Sequence, residues 1–164
     1  MHPAALPVDD LLGQTRERHT RRSGPGGQHR NKTQTAVVLI HEPTGISAEA
    51  SERRSQAENR EVAIERLRLK LALEHRAPAV PGPSARWHAR LRGKQLVIAA
   101  RHEDYAPLVA EAFDQLQAHR FVMAQAAAVL GVTTTQLVRL FKKNAAAWMM
   151  LNRLRAAAGL AVLQ

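Results

Sequence analysis

The stretch APAVPGPSA, residues 77–85, puts three prolines and a glycine into nine positions. Proline fixes φ and lacks an amide hydrogen, so neither a helix nor a paired strand runs through such a segment. The chain must therefore be assembled from what lies on either side of it. The division expected is a first unit over residues 1–76, a linker or connecting segment over 77–100, and a helical unit over 101–164. Aromatic residues make up only 4% of the chain, and Ala, Leu and Val supply most of the apolar content, so no large core is available.

On the N-terminal side, residues 1–15 read as a lead-in with a helical turn at Asp9 to Leu12. A strand is expected over 17–22 on a weak pattern, and residues 23–33 collect Ser, Gly, Pro and Asn as a loop does. Thr35 to His41 is β-branched and apolar, Glu42-Pro-Thr-Gly45 is a turn sequence, and Ile46 to Ala50 returns as a second strand, which makes a hairpin. Ser55 to Arg76 reads as a long helix opened by a capping box, Ser55 with Glu58. Ala57, Ile64, Leu67 and Leu71, widened by Val62, Leu69 and Leu73, hold helical spacing and should pack across the hairpin. Arg60, Arg66, Arg68 and Lys70 alternate with Glu58, Glu61 and Glu65, a pattern that predicts pairs along the helix surface.

Beyond the proline segment, a short helical or irregular piece around Trp87 is expected, with Trp87 as a packing anchor, then a strand at Gln95 to Ala99. From Asp104 the pattern is helical. Pro107 suits a first turn, and further helices are expected at Phe121 to Leu130, from Thr133 to near Lys143, and from Ala145 to Ala158. QAAAVLGVTTTQLVRLFKK resembles a helix-turn-helix unit: Ala127 stands four residues before Gly131, and Leu137 and Leu140 are buried positions of the second helix. Thr134, Thr135, Gln136, Arg139, Lys142 and Lys143 then face outward. The fold class expected is α+β: a small β-sheet domain with one long packed helix, a linker, and an all-α, helix-turn-helix-like C-terminal domain.

Charge narrows the partners. Twenty-four Lys and Arg against fourteen Asp and Glu give a net charge of +10, and the pI is near 11.3. That balance points to a polyanion. It falls in two zones: six basic residues and one acid lie between Arg16 and Lys32, and no acid follows Asp114. Cysteine is absent, which excludes disulfides and Cys-ligated zinc, and the eight histidines form no metal-binding pair spacing. No metal or other cofactor is expected. No apolar run reaches the ~20 residues of a membrane span. The N-terminus has no basic-then-apolar signal layout, so a cytoplasmic, monomeric protein without membrane contact is expected.

Ser23-Gly-Pro-Gly-Gly-Gln-His-Arg-Asn-Lys-Thr33, then the hairpin with PTGI, then Arg54-Ser-Gln-Ala-Glu-Asn59-Arg60, closely resembles the catalytic domain of class-I peptide chain release factors and of related codon-independent ribosome-rescue hydrolases. The resemblance covers roughly residues 15 to 76. It implies that Gly26, Gly27 and Gln28 form the catalytic GGQ tripeptide, which enters the peptidyl-transferase centre and hydrolyses the peptidyl-tRNA ester. Asn31 and Lys32 match the family's pair after the loop, and Arg54, Ser55, Gln56 and Asn59 match a second family segment. Arg30 replaces a small apolar residue and Arg60 a lysine.

On that resemblance the loop, which holds no carboxylate or thiol, works through its backbone. Two glycines let the chain approach RNA closely, so the Gln28 amide N–H can face the oxyanion. The Gln28 side chain would admit water and exclude larger nucleophiles. His29 could be a base, but the resemblance leaves proton transfer to the substrate's 2′-hydroxyl and to rRNA. RNA contacts are expected from Arg21, Arg22, Ser23, Arg30, Asn31, Lys32 and Arg54, and from Arg139, Lys142 and Lys143 in the second basic zone.

No codon-reading tripeptide is found in the remaining residues, so the expected activity is codon-independent release from stalled ribosomes or large subunits, with large-subunit rRNA and peptidyl-tRNA as partners. The chain ends GLAVLQ instead of in the Lys/Arg-rich tail typical of rescue hydrolases, a departure in the mode of ribosome recognition; the helical domain is expected to bind rRNA, tRNA or a released large subunit carrying peptidyl-tRNA. The alternatives are a noncatalytic ribosome- or RNA-binding module and a helix-turn-helix DNA-binding regulator.

Overall fold

A computed structural model of the chain describes residues 1–20 and 35–164. Three strands form an antiparallel sheet in the order β1 (Thr15–Thr20), β2 (Ala36–His41), β3 (Ser47–Ala50). Val37, Leu39 and His41 alternate inward along β2, and Ala48 and Ala50 do so along β3, as a half-buried sheet requires. Gly45 closes the β2–β3 turn at φ +70, its amide donating to His41 O at 2.8 Å. β1 begins two residues earlier than its expected start at 17. The Thr15 hydroxyl donates to Leu11 O at the end of α1 (Val8–Gly13), and Thr15 pairs directly with His41, so the ladder starts there. Residues 21 and 22 of the expected strand lie outside the described residues.

The long helix, α2 (Gln56–Glu74), lies across β2 and β3. Ser55 caps it as expected, its hydroxyl accepting from Glu58 N. The end differs. His75 is extended, and Arg76, expected as the last helical residue, folds back: its guanidinium donates to Ala72 O at 3.0 Å, Leu73 O at 2.7 Å and His75 O, and lies 4.3 Å from the Phe113 ring centre. A cation there satisfies the orphan carbonyls of the last turn. Leu67, Leu71 and Leu73 are buried as expected, but Ala57 is exposed and Val62, Ile64 and Leu69 are only half-buried. The deepest line runs Asn59, Ala63, Leu67, Leu71, in which Ala63 is small and the polar Asn59 hides from a hydrophobicity pattern.

The basic residues of α2 do not pair along the helix. Arg60 Nε meets Glu17 of β1 at 2.9 Å, and Arg66 meets Glu52 at 2.5 Å. Arg68 donates to Leu6 O at 2.7 Å, and Lys70 to Ser47 O at 2.8 Å. Helix spacing favours i,i+4 pairs only when no neighbouring element offers acceptors, and here the sheet and the lead-in supply them.

The proline segment is strapped to α4 (Tyr105–Ala118). Ala77 N donates to Asp114 Oδ1 at 2.9 Å, Gln115 donates to Val80 O at 2.7 Å, and Ser84 gives its amide and hydroxyl to the Glu111 carboxylate at 2.7 and 2.6 Å. Burial pushes the Asp114 carboxyl up to about 6, with help from Glu111 and against the Ala77 hydrogen bond and the Arg76 charge. Ser84 also caps α3 (Ala85–Arg90), which carries the fully buried Trp87. A hairpin of β4 (Leu91–Arg92) and β5 (Gln95–Leu96) follows. β5 is shorter than the expected strand to Ala99; its last cross-strand bond is Val97 N to Arg90 O at 2.9 Å.

Helix α4 is buried along most of its length and is the centre of the C-terminal half. α5 (Met123–Val129) and α6 (Thr134–Lys142) pack against it, and α7 (Ala145–Ala157) packs against α6 and α2. α5 does not begin at Phe121 as expected, because Arg120 and Phe121 both take left-handed conformations, φ 50 and 60, with Phe121 N closing on Leu116 O. α5 and α6 meet at Gly131, φ +68, where Val132 N returns to Ala127 O at 3.0 Å. Phe113 and Phe141 rings pack 4.8 Å apart, and Tyr105 OH donates to Leu140 O at 3.1 Å. Buried residues from Val37 through Trp87 to Leu151 join one continuous core. The described residues thus form an α+β structure with a small antiparallel sheet and seven α-helices. Among them no helix is long and apolar enough to cross a membrane.

Candidate functional site

The tripeptide Gly26, Gly27, Gln28 and its neighbours Arg21, Arg22, Ser23, Arg30, Asn31 and Lys32 lie outside the described residues. Their flanks are described. β1 ends and β2 begins in register, Thr20 opposite Ala36, so the intervening segment leaves and re-enters the fold at one end of a two-strand ladder. That end is held by side chains from α2, which also bind the backbone of the turn before it.

Asn59 is the centre of the hold. It is fully buried, and its side-chain amide nitrogen donates to Thr35 O at 2.7 Å and to Arg53 O at 3.0 Å, while its oxygen accepts from Arg53 N at 2.9 Å. One side chain therefore ties the residue just before β2 to the turn that starts α2. A buried amide with its hydrogen bonds made fixes that geometry; losing the amide would strand three backbone groups. On the β1 side, Gln56 donates to His19 Nδ1 at 2.7 Å, and His19 Nε2 lies 3.5 Å from Glu17, which also holds Arg60. Ser55, Gln56 and Asn59 thus share one root structure. Glu17, His19 and Thr35 belong to it and were not singled out in the sequence, because only the strand register brings them to α2.

The remaining expected contacts separate. Arg54 is exposed in the turn before α2 and makes no hydrogen bond or ion pair among the described residues. Arg139 of α6 and Lys143, the residue that caps the end of α6, are four positions apart and line an open cleft of about 490 Å³ with Gln136, Leu140 and residues 95–99. Lys142 points elsewhere: its ammonium lies 4.9 Å from the Trp148 ring centre and donates to Gln164 O at 2.9 Å. Nothing places Arg54 in the α6 cleft.

The model of the RF-1 domain matches residues 12–101, more than half of the chain. Among curated proteins the chain is 51% identical over 55 residues to "Peptide chain release factor 1-like, mitochondrial" of Mus musculus, which is 34% of this chain and 15% of that protein. It is 49% identical over 65 residues to "Peptide chain release factor 1" of Acidiphilium cryptum (40% and 18%), and 57% identical over 51 residues to "Peptide chain release factor 2" of an Acidovorax species (31% and 14%). The matched segment thus spans less than a fifth of each of these relatives. With the family's model running from the end of α1 through the sheet, α2 and the β4–β5 hairpin, the chain belongs to the class-I peptide chain release factor family.

Proposed function

We propose that the chain hydrolyses the ester of peptidyl-tRNA in the ribosomal peptidyl-transferase centre, and does so without reading a stop codon. The observation that carries this reading is the order of SGPGGQHRNK, hairpin and RSQxxN within the segment that matches the RF-1 domain. The fastened root supports it: a loop that must deliver one backbone N–H into an RNA cavity gains from a rigid base, since misplacement costs rate steeply. Gly26 and Gly27 free the backbone, the Gln28 N–H faces the oxyanion, and the Gln28 side chain selects water. An oxyanion donor of this kind contributes about 2.7–4 kcal/mol. Arg21, Arg22, Ser23, Arg30, Asn31, Lys32 and Arg54 hold the loop against rRNA, and residues 1–76 form the catalytic unit.

Codon independence is supported by the C-terminal half. Residues 101–164 form a helical, helix-turn-helix-like unit, and its part beyond Asp114, which carries six Lys and Arg and no acid, offers a contact with ribosomal RNA that needs no codon. The test is peptide release from cytoplasmic-type ribosomes carrying peptidyl-tRNA over a stop codon, a sense codon or a truncated message. Similar release from all three is expected. Release only over a stop codon would contradict codon independence, and ribosome binding without any release would favour a noncatalytic module.

A further inference from the structure

The cleft between α6 and residues 95–99 has an unusual balance. Gln136 and Arg139 of α6, with Lys143 at its C-cap, form one wall; the β5 segment forms the other; Leu96, Ile98 and Leu140 are its buried apolar floor. No carboxylate is among its lining residues, and neither Arg139 nor Lys143 makes an ion pair or hydrogen bond among the described residues. Other described arginines are engaged: Arg60, Arg66, Arg86 and Arg90 by carboxylates, Arg68 and Arg76 by main-chain carbonyls. Two unpaired cations four positions apart over an apolar floor fit a phosphodiester with a sugar or base beneath it.

The shape selects the kind of nucleic acid. A helix reads duplex DNA by lying in a major groove ~12 Å wide, with its flanks free. Along α6 and its C-cap, the flank carrying Gln136, Arg139 and Lys143 is walled by residues 95–99, so those side chains open into a cleft and not onto a protruding ridge. A single strand, by contrast, threads a cationic groove and lays its bases on apolar surface.

We infer that this cleft binds one unpaired stretch of RNA, with its phosphates on Arg139 and Lys143 and a base edge on Gln136. The choice of RNA over a DNA strand rests on the proposed ribosomal site of action; the cleft itself does not depend on hydrolysis.

The probe is a fluorescein-labelled oligouridine of ~20 nucleotides, titrated with the full chain and followed by anisotropy at several salt concentrations. Arg139→Gln/Lys143→Gln should weaken binding about tenfold near 0.1 M salt and lower the slope of log affinity against log salt by about 1.4. A charge-matched pair on exposed positions, Arg120→Gln/Arg153→Gln, should change affinity less than about twofold. Equal losses from the two pairs would overturn the cleft as a site, as would tighter binding of a duplex DNA of the same length. Peptide release at saturating protein separates the two claims. The cleft fails alone if the pairs bind RNA alike while release persists; the hydrolase reading fails alone if the cleft pair loses RNA affinity and the wild-type chain releases nothing.

Discussion

The long helix α2 and the α6 cleft use their cations in opposite ways. On α2, Arg60, Arg66, Arg68 and Lys70 all meet partners within the protein. Arg60 ties α2 to β1 through Glu17, Arg66 meets Glu52, and Arg76 closes the end of the helix. In the C-terminal helices no acid follows Asp114, and Arg139 and Lys143 open into a cleft without a partner. A net charge of +10 therefore does not spread an even interface over the surface. The difference separates cations that build the fold from cations that the fold leaves unpaired.

Substitutions can sharpen or break that contrast, beginning with the largest effect. Asn59→Ala should cost about 3 kcal/mol in urea unfolding, because Thr35 O and both Arg53 backbone groups lose their partner in a buried place. A loss under about 1 kcal/mol would mean the root is not held as described. Asp114→Asn comes next and depends on pH. Folding raises the Asp114 pKa from 3.8 to about 6, so the unfolded chain binds fewer protons between these values and stability falls as pH rises through them. Asn carries no charge to desolvate and can still accept from Ala77 N. The variant should therefore match the wild type near pH 4 and exceed it by about 1–3 kcal/mol above pH 6, read from thermal melts. His2, buried against His75 with its pKa lowered to about 4, runs the other way, since its neutral form is favoured and stability falls as pH drops; it cancels in the difference between the two proteins. A constant gap across pH would remove the Asp114 account.

The smallest effects bear most directly on the comparison. Arg60→Ala should destabilise by about 0.5–1 kcal/mol, the value of a partly exposed ion pair. Arg139→Gln should change stability by less than about 0.5 kcal/mol, since it removes no contact in the fold. If Arg139→Gln proved the more destabilising of the two in denaturant titrations, the cleft cations would be structural, and the contrast would collapse.

Much of the fold could be read from local signals. The hairpin over 35–50, the Ser55 cap, the buried Trp87 and the ends of α6 and α7 follow from turn residues, caps and periodicity. What escaped was set by partners distant in sequence. β1 is a polar edge strand, TRERHT, whose bounds depend on its register with β2. Asn59 sits at a core position that a hydrophobic pattern reads as surface. Arg120 and Phe121 take left-handed conformations with no glycine to announce them. The charges of α2 looked like a self-paired helix surface because the sequence does not tell which element lies beside them. At the candidate site Ser55, Gln56 and Asn59 stood out as a motif, but their neighbours Glu17, His19 and Thr35 did not, since only the strand register brings these to α2. On α6 the sequence grouped Arg139, Lys142 and Lys143 together, but Lys142 turns to Trp148 and leaves a pair, not a triplet, in the cleft.

The proposal stands on the backbone of one tripeptide, and single-turnover peptide release from purified ribosome complexes tests it. Wild type, Gly27→Ala and Gln28→Ala are compared at saturating protein. The account predicts a loss of about 10²–10³ for Gly27→Ala, which distorts the main chain that presents the donor, and a smaller loss for Gln28→Ala, which keeps its own N–H. Equal rates for Gly27→Ala and wild type would contradict it.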